Sequence, residues 1–370
     1  MMRLRFFFQF YFSMVAATVL AGCSAPLPST ELPPARFISA APEFPGFHDY
    51  RGIIDLPIKT SGMDQSGIAD LARTAQIDFI FLADRVQPGE SNTDFGIAGF
   101  TNGILFISGG AFEIGGSEII GANLHDPIKP GLTPSDLISA IHDQGGLAIA
   151  ADPAKFASSD DYALADAMEV YSQRSAWLAQ SSAALYLRAI FFGTDHFLSG
   201  LDVRPDSNLA LYDRMTAGAR VSMLAGMGAP DNLNVLGAKV GTLPQLFLFC
   251  TTHLIARERD TAPILEALRL GHSYVSFDYL GYVGAFAFFA RVGETTTMMG
   301  DEVRLAPGLA LKTELPAPAD RITMLQNGAE VASADNATKL EFAPKSPGAY
   351  RIEAYRGGKL WIVSNPVYVR

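Results

Sequence analysis

Two acidic residues stand where hydrophobic runs give out. Ile53 and Ile54 lead into Asp55, and Phe79–Leu82 (FIFL) lead into Ala83-Asp84-Arg85. Between them lie a polar loop and a helical stretch, so Gly52–Arg85 reads as strand, loop, helix, strand. Both open and closed α/β folds collect their chemistry at the carboxyl ends of such strands. The other chemically able side chains are more scattered. His48-Asp49 precedes the first strand, where it can cap the strand or reach the mouth of a barrel. Thr194-Asp195-His196 follows the helical ALYLRAIFFG, away from any strand end. His142 and His253 fall in helical stretches and His272 just past a helix end, where structural roles are expected. No GxSxG elbow, P-loop, CxxC or HExxH occurs, and no serine or cysteine has a base at a recognisable spacing.

The elements that must position these residues are legible from periodicity. From Gly46 to about Asp278, short apolar runs alternate with helical patterns, as βαβ units do. Candidate strands after the opening unit are Ile104–Ile107, Ile119–Asn123, Leu147–Ala150, Ala167–Tyr171, Val221–Ala225 and Tyr274–Phe277. One helix begins at Thr133-Pro134-Ser135-Asp136, with Thr133 as cap, Pro134 in the first turn and Asp136 facing the positive end of the dipole. Another runs from Asp260 to a stop at Gly271. Leu243–Ala256, apolar but interrupted by Pro244, Gln245 and His253, reads as a buried helix. After Tyr279 helical periodicity fades into alternating strands such as LALKTEL, YRIEAY and VYV. Asn327-Gly328 is a hairpin signal and Gly357-Gly358 a second turn. Residues 284–370 are thus expected to form a small β-sandwich.

The amino-terminal residues have a separate job. Arg3 and Arg5 precede an apolar run, Phe6 to Leu20, too short to span a membrane comfortably. Leu20-Ala21-Gly22-Cys23 then resembles the lipobox of bacterial lipoproteins. That resemblance implies a signal peptide over 1–22, lipidation at Cys23 and, from Ser24 at the next position, sorting to the outer membrane. Residues 23–45, with six prolines between Ser24 and Pro45, read as a semi-extended tether. With Cys23 lipidated, Cys250 is the one thiol left, no intramolecular disulfide can form, and Cys250 is expected in the core. Hydrophobic residues at 49% and charged residues at 18% describe a globular chain. A net charge of −10 argues against nucleic acid as a partner and suits a neutral or cationic small molecule, or a protein.

From Gly52 to Arg370 the chain resembles the polymerase-and-histidinol-phosphatase (PHP) family, in particular secreted members with a carboxyl-terminal β-domain. The echoes are Gly52…Asp55-Leu56-Pro57 for the family's opening His-x-His strand and Leu82-Ala83-Asp84-Arg85 for its Thr-Asp-His. Gly110–Ile114 (GAFEI) falls at its Gly-x-Glu, and Gly145–Pro153 (GGLAIAADP) at its strand ending Ala-His-Pro. Ala167–Ser172 (AMEVYS) falls at its Glu-Val-Tyr strand and Leu224–Asp231 (LAGMGAPD) at its Gly-Ser-Asp-x-His. The resemblance implies a distorted (β/α)7 PHP-like barrel over 46–283, followed by an immunoglobulin-like β-sandwich over 284–370. It also implies phosphoester hydrolysis by a cluster of divalent metals held by histidines and carboxylates.

Carried over position by position, that metal site is degenerate. Asp55 and Pro57 stand for two histidines, Arg85 for a third and Asp152 for a fourth, while Gly228 and Pro230 replace the closing Asp-x-His. Asp84 and Glu113 survive, and His125 falls where a mid-chain ligand would be. One reading is a pseudoenzyme, a retained scaffold without metal in which Asp84 and Glu113 pair with Arg85. It would serve binding or scaffolding at the periplasmic face of the envelope, for a small molecule or an envelope protein. The other is a phosphoesterase whose rebuilt oxygen-rich site, Asp55, Asp84, Glu113, His125 and Asp152, takes Mg²⁺, Mn²⁺ or Ca²⁺.

Overall fold

The computed structural model describes residues 39–40, 43–59, 61–86, 97–180, 200–228, 233–235 and 238–370. Cys23, most of the tether and Thr194-Asp195-His196 lie outside them. The chain opens with β1 (Ser39–Ala40), antiparallel to the start of β2 (His48–Leu56), so regular pairing begins inside the stretch expected to be a tether. There follow α1 (Gln65–Thr74), β3 (Phe79–Leu82), β4 (Asp84–Val86), β5 (Gly99–Thr101), β6 (Ile104–Ile107), β7 (Gly109–Ile114) and β8 (Ser117–Ala122). Next come α2 (Pro134–His142), β9 (Leu147–Ala151), β10 (Ala167–Ser172), α3 (Gln173–Leu178), α4 (Asp206–Thr216) and β11 (Ser222–Gly226).

The pairings of these strands run round in a ring. β2 is parallel to β3, β3 to β6 and β4 to β7. β7 and β8 form an antiparallel hairpin, β8 is antiparallel to β9, and β9, β10 and β11 are parallel. The ring closes where β11 meets β2 at Gly226 and Ile54, continued by Met227 N–H to Ile54 O and Gly228 N–H to Asp55 O, both 2.9 Å. Successive residues of these strands go to different cores, as a period of two requires. Ile54, Phe79, Phe81, Leu105, Ile107, Ile149 and Leu224 share one buried cluster, while their neighbours Ile53, Ile80, Phe106, Met168 and Met223 belong to another. α1 packs into the second cluster and α2 into a third, while Ile264, Leu265, Ala267 and Leu268 of a later helix (Thr261–Leu270) pack into the first. Burial on both faces explains why the strands read as continuous apolar runs. The helix α2 starts as its sequence dictates, with Thr133 accepting from the Asp136 amide.

After β11 come β12 (Leu233–Val235), β13 (Ala238–Val240), α5 (Leu243–Phe247), β14 (Thr251–Ala256), α6 (Thr261–Leu270) and β15 (Ser273–Ser276). The expected helix over Leu243–Ala256 is wrong in its second half. Thr251–Ala256 is a strand, antiparallel to β2 on one side and β15 on the other. Buried on both faces, it carries no alternation to distinguish it from a buried helix. Cys250, at its start, is buried as expected.

The remainder is β16 (Ala287–Val292), β17 (Thr295–Met298), β18 (Glu302–Val303), β19 (Ala310–Gln326), β20 (Ala329–Phe342), β21 (Gly348–Arg356), β22 (Lys359–Ser364) and β23 (Val367–Val369). Asn327 and Gly328 both have positive φ, 49° and 85°, which the tight turn between β19 and β20 requires. This unit is continuous with the ring. β22 pairs with β15, and Arg351 on β21 reaches back to Asp213 on α4 at 2.6 and 2.8 Å.

Candidate functional site

One end of the ring carries a polar cleft of about 280 Å³. Asp55 is the last residue but one of β2, Arg85 lies on β4, Glu113 and Glu118 face each other across the β7–β8 hairpin, and Asp152 follows β9. Glu169 comes from β10 and Arg174 from α3, while Lys155 stands just past Asp152. Asp55 and Asp152 both take left-handed backbone, with φ of 62° and 46°. That conformation is costly for a residue with a Cβ, least so for Asp and Asn. Its recurrence at two strand ends of one cleft is the kind of strain that functional positions retain.

Two carboxyl groups form the buried floor. Asp55 is 3% and Glu169 1% exposed, and Asp55 Oδ1 and both oxygens of Glu169 have no hydrogen-bond partner. Burial and the charge of Glu118 push Asp55 up to about 8, against a smaller opposing effect of Arg85 and the Gly228 amide. Burial first, and Asp55 second, push Glu169 well above the ordinary carboxylate range, and nearby Ser172 eases its ionisation without completing a hydrogen bond. At neutral pH this floor holds protons. Gly226 is what lets Glu169 lie there, because a Cβ at 226 would come within 2.4 Å of its carboxyl carbon. Gly226→Ala is therefore expected to displace Glu169 and destabilise the fold by about 1–3 kcal/mol, read as a lowered melting temperature.

Cations make the walls. Arg85 grips Glu118 through two bonds, Nε to Oε1 at 2.5 Å and Nη2 to Oε2 at 3.0 Å. Arg174 Nη1 reaches the same Oε1 at 3.4 Å. Lys155 Nζ lies 2.8 Å from Asp152 and donates to Ser175 Oγ at 2.6 Å, and Asn208 donates to Asp152 Oδ1 at 2.8 Å. Burial alone would raise Asp152, but these partners outweigh it and hold its carboxyl below the ordinary value.

Of the six residues singled out from sequence, the cleft gathers Asp55, Arg85, Glu113 and Asp152. It does not include Asp84, which is buried and accepts the Lys59 amide at 2.9 Å. His125 is exposed, with its amide on the Gln144 side chain. The expected pairing of Arg85 with Asp84 or Glu113 is corrected: its carboxylate is Glu118, brought to the same end because β8 runs antiparallel. Glu118, Glu169, Lys155 and Arg174 were not anticipated. A signal existed for Glu169, an acid inside the apolar strand Ala167–Tyr171.

A divalent metal does not fit this donor set. Among the described residues no group of three or more His, Cys, Asp or Glu side chains is arranged to hold one. In the cleft, two guanidinium groups share Glu118 and Lys155 occupies Asp152, while among the described residues Asp55, Glu169 and the exposed Glu113 carry no cation partner.

A second constellation has the order of a nucleophile relay. His253 Nδ1 lies 2.8 Å from Asp49 Oδ1, and its Nε2 lies 3.0 Å from Ser276 Oγ. All three residues are buried, His253 stacks on Tyr274, and Ser276 donates to Asp278 Oδ1 at 2.8 Å. Fully buried, these groups join strands β2, β14 and β15.

No family model matches the sequence, and neither does any curated protein. Among solved structures, the chain is similar to a two-domain protein from Bacteroides vulgatus ATCC 8482, described as containing a predicted PHP-like metal-dependent phosphoesterase. The TM-score is 0.42 at 11% identity, over 90% of this chain and 99% of that one.

Proposed function

We propose that this chain is a lipid-anchored envelope protein in which a PHP-like barrel and an immunoglobulin-like β-domain have been kept without metal-dependent hydrolysis. In this reading, the barrel mouth holds a small ligand. The observation that carries it is Arg85, clamped to Glu118 beside Arg174 in the cleft where the family resemblance puts a metal cluster. A fixed guanidinium where a divalent cation should sit opposes that cation, by several kcal/mol when poorly hydrated. A polar concavity remains after the metals go, and it remains able to bind.

The test is metal analysis of the protein from Ser24 onward, with phosphatase and phosphodiesterase assays in Mg²⁺, Mn²⁺ and Zn²⁺. No stoichiometric metal and no turnover above the blank are expected. Bound metal with turnover that Asp55→Asn abolishes would sink the proposal in favour of the phosphoesterase. The anchor is tested separately, by the loss of membrane association expected in Cys23→Ala.

A further inference from the structure

Resting on the binding reading above, we propose that the cleft is specific for a small molecule bearing a primary ammonium group, seated on Asp55 and Glu169. Three acceptor oxygens at the floor, Asp55 Oδ1 and both of Glu169, have no partner in the protein. Unpaired buried acceptors of this kind are costly, and native proteins rarely leave them so without a ligand or a proton to satisfy them. An ammonium group offers three N–H donors and a positive charge, one donor for each oxygen. A divalent ion would instead share the space with the guanidinium and ammonium groups of Arg85, Arg174 and Lys155, and two of the neighbouring carboxylates are committed: Glu118 to Arg85 and Arg174, Asp152 to Lys155 and Asn208. Arg174 makes a single long contact to Glu118 at 3.4 Å, which leaves most of its N–H groups to meet an acceptor elsewhere on the ligand. Without a cation, protons hold the two carboxyls neutral; a bound ammonium ion compensates one carboxylate, so one proton leaves to solvent and the other carboxyl stays protonated, accepting through its carbonyl oxygen.

Methylammonium and tetramethylammonium separate the donor requirement from mere charge. In calorimetric titrations of the protein from Ser24 onward, methylammonium should bind with proton release, and tetramethylammonium about tenfold more weakly or not at all. Glu169→Gln and Asp55→Asn, nearly isosteric and expected to melt no lower than wild type, should each lose about tenfold in methylammonium affinity. Equal binding of both amines, unchanged affinity in these variants, or no methylammonium binding would overturn the inference. Preferential binding of phosphate would do the same while leaving a ligand-binding cleft in place. Metal-dependent turnover, by contrast, would remove the binding reading itself.

Discussion

Asp55→Asn is expected to stabilise the protein, by on the order of 5 kcal/mol at pH 8 and by little near pH 4. The sign follows from proton counting. Asp55 is raised from 3.8 to about 8 in the folded chain, so between those values the folded state keeps a proton that the unfolded state releases. Wild-type stability therefore falls across that window and levels off above it, whereas the asparagine variant has no such proton to hold. Below the unfolded value both states are protonated and the two proteins should coincide. Urea denaturation of both, every half unit from pH 4 to 9, gives the comparison directly. Parallel curves would mean that Asp55 is ionised in the folded state, and that the cleft floor is charged. Glu169→Gln should act in the same direction, and the double variant should gain less than the sum, because each carboxyl burdens the other.

The same carboxyl pair shows how far the sequence could be read. Strand ends were legible because Ile53-Ile54 and Phe79–Leu82 stop abruptly at polar residues, and Asp55 and Arg85 do line the cleft. Asp84, one residue from Arg85, does not, because adjacent strand residues point to opposite faces. Glu118 was hidden by topology. It begins a strand that runs against its neighbours, so an acid at the start of a run, not at its end, arrives at the mouth. Glu169 was visible only as an acid in an apolar strand, and its freedom to lie at the floor depends on Gly226, more than fifty residues later. Periodicity reports which face a residue takes, and carries nothing about which distant glycine makes room for it. The Leu243–Ala256 error has a similar root. Once both faces are buried, the alternation that separates strand from helix disappears.

Arg51→Met is expected to destabilise the fold by about 3–5 kcal/mol, with Asp278 as the reason. The guanidinium is fully buried, and its Nη2 lies 2.6 Å from Asp278 Oδ2. Nε also donates to Asp278 Oδ2 at 3.0 Å and to Thr251 Oγ1 at 3.2 Å, while Nη1 and Nη2 donate to the carbonyls of Ala75 and Phe247. One side chain of β2 thus reaches the end of α1, α5, the start of β14 and the segment after β15. Methionine fills much of the space but leaves a buried carboxylate without its cation and two carbonyls without this donor. Adding Asp278→Asn should recover a large part of the loss, since the uncompensated charge goes, although the two carbonyls stay deprived. The cycle of wild type, two single variants and the double, measured by urea unfolding, separates these contributions. A coupling near zero would mean that Arg51 stabilises through packing and its carbonyl bonds, and that the ion pair itself contributes little. A large one would make Arg51–Asp278 the clasp between the opening strand and the β15 edge on which β22 of the carboxyl-terminal unit is hung.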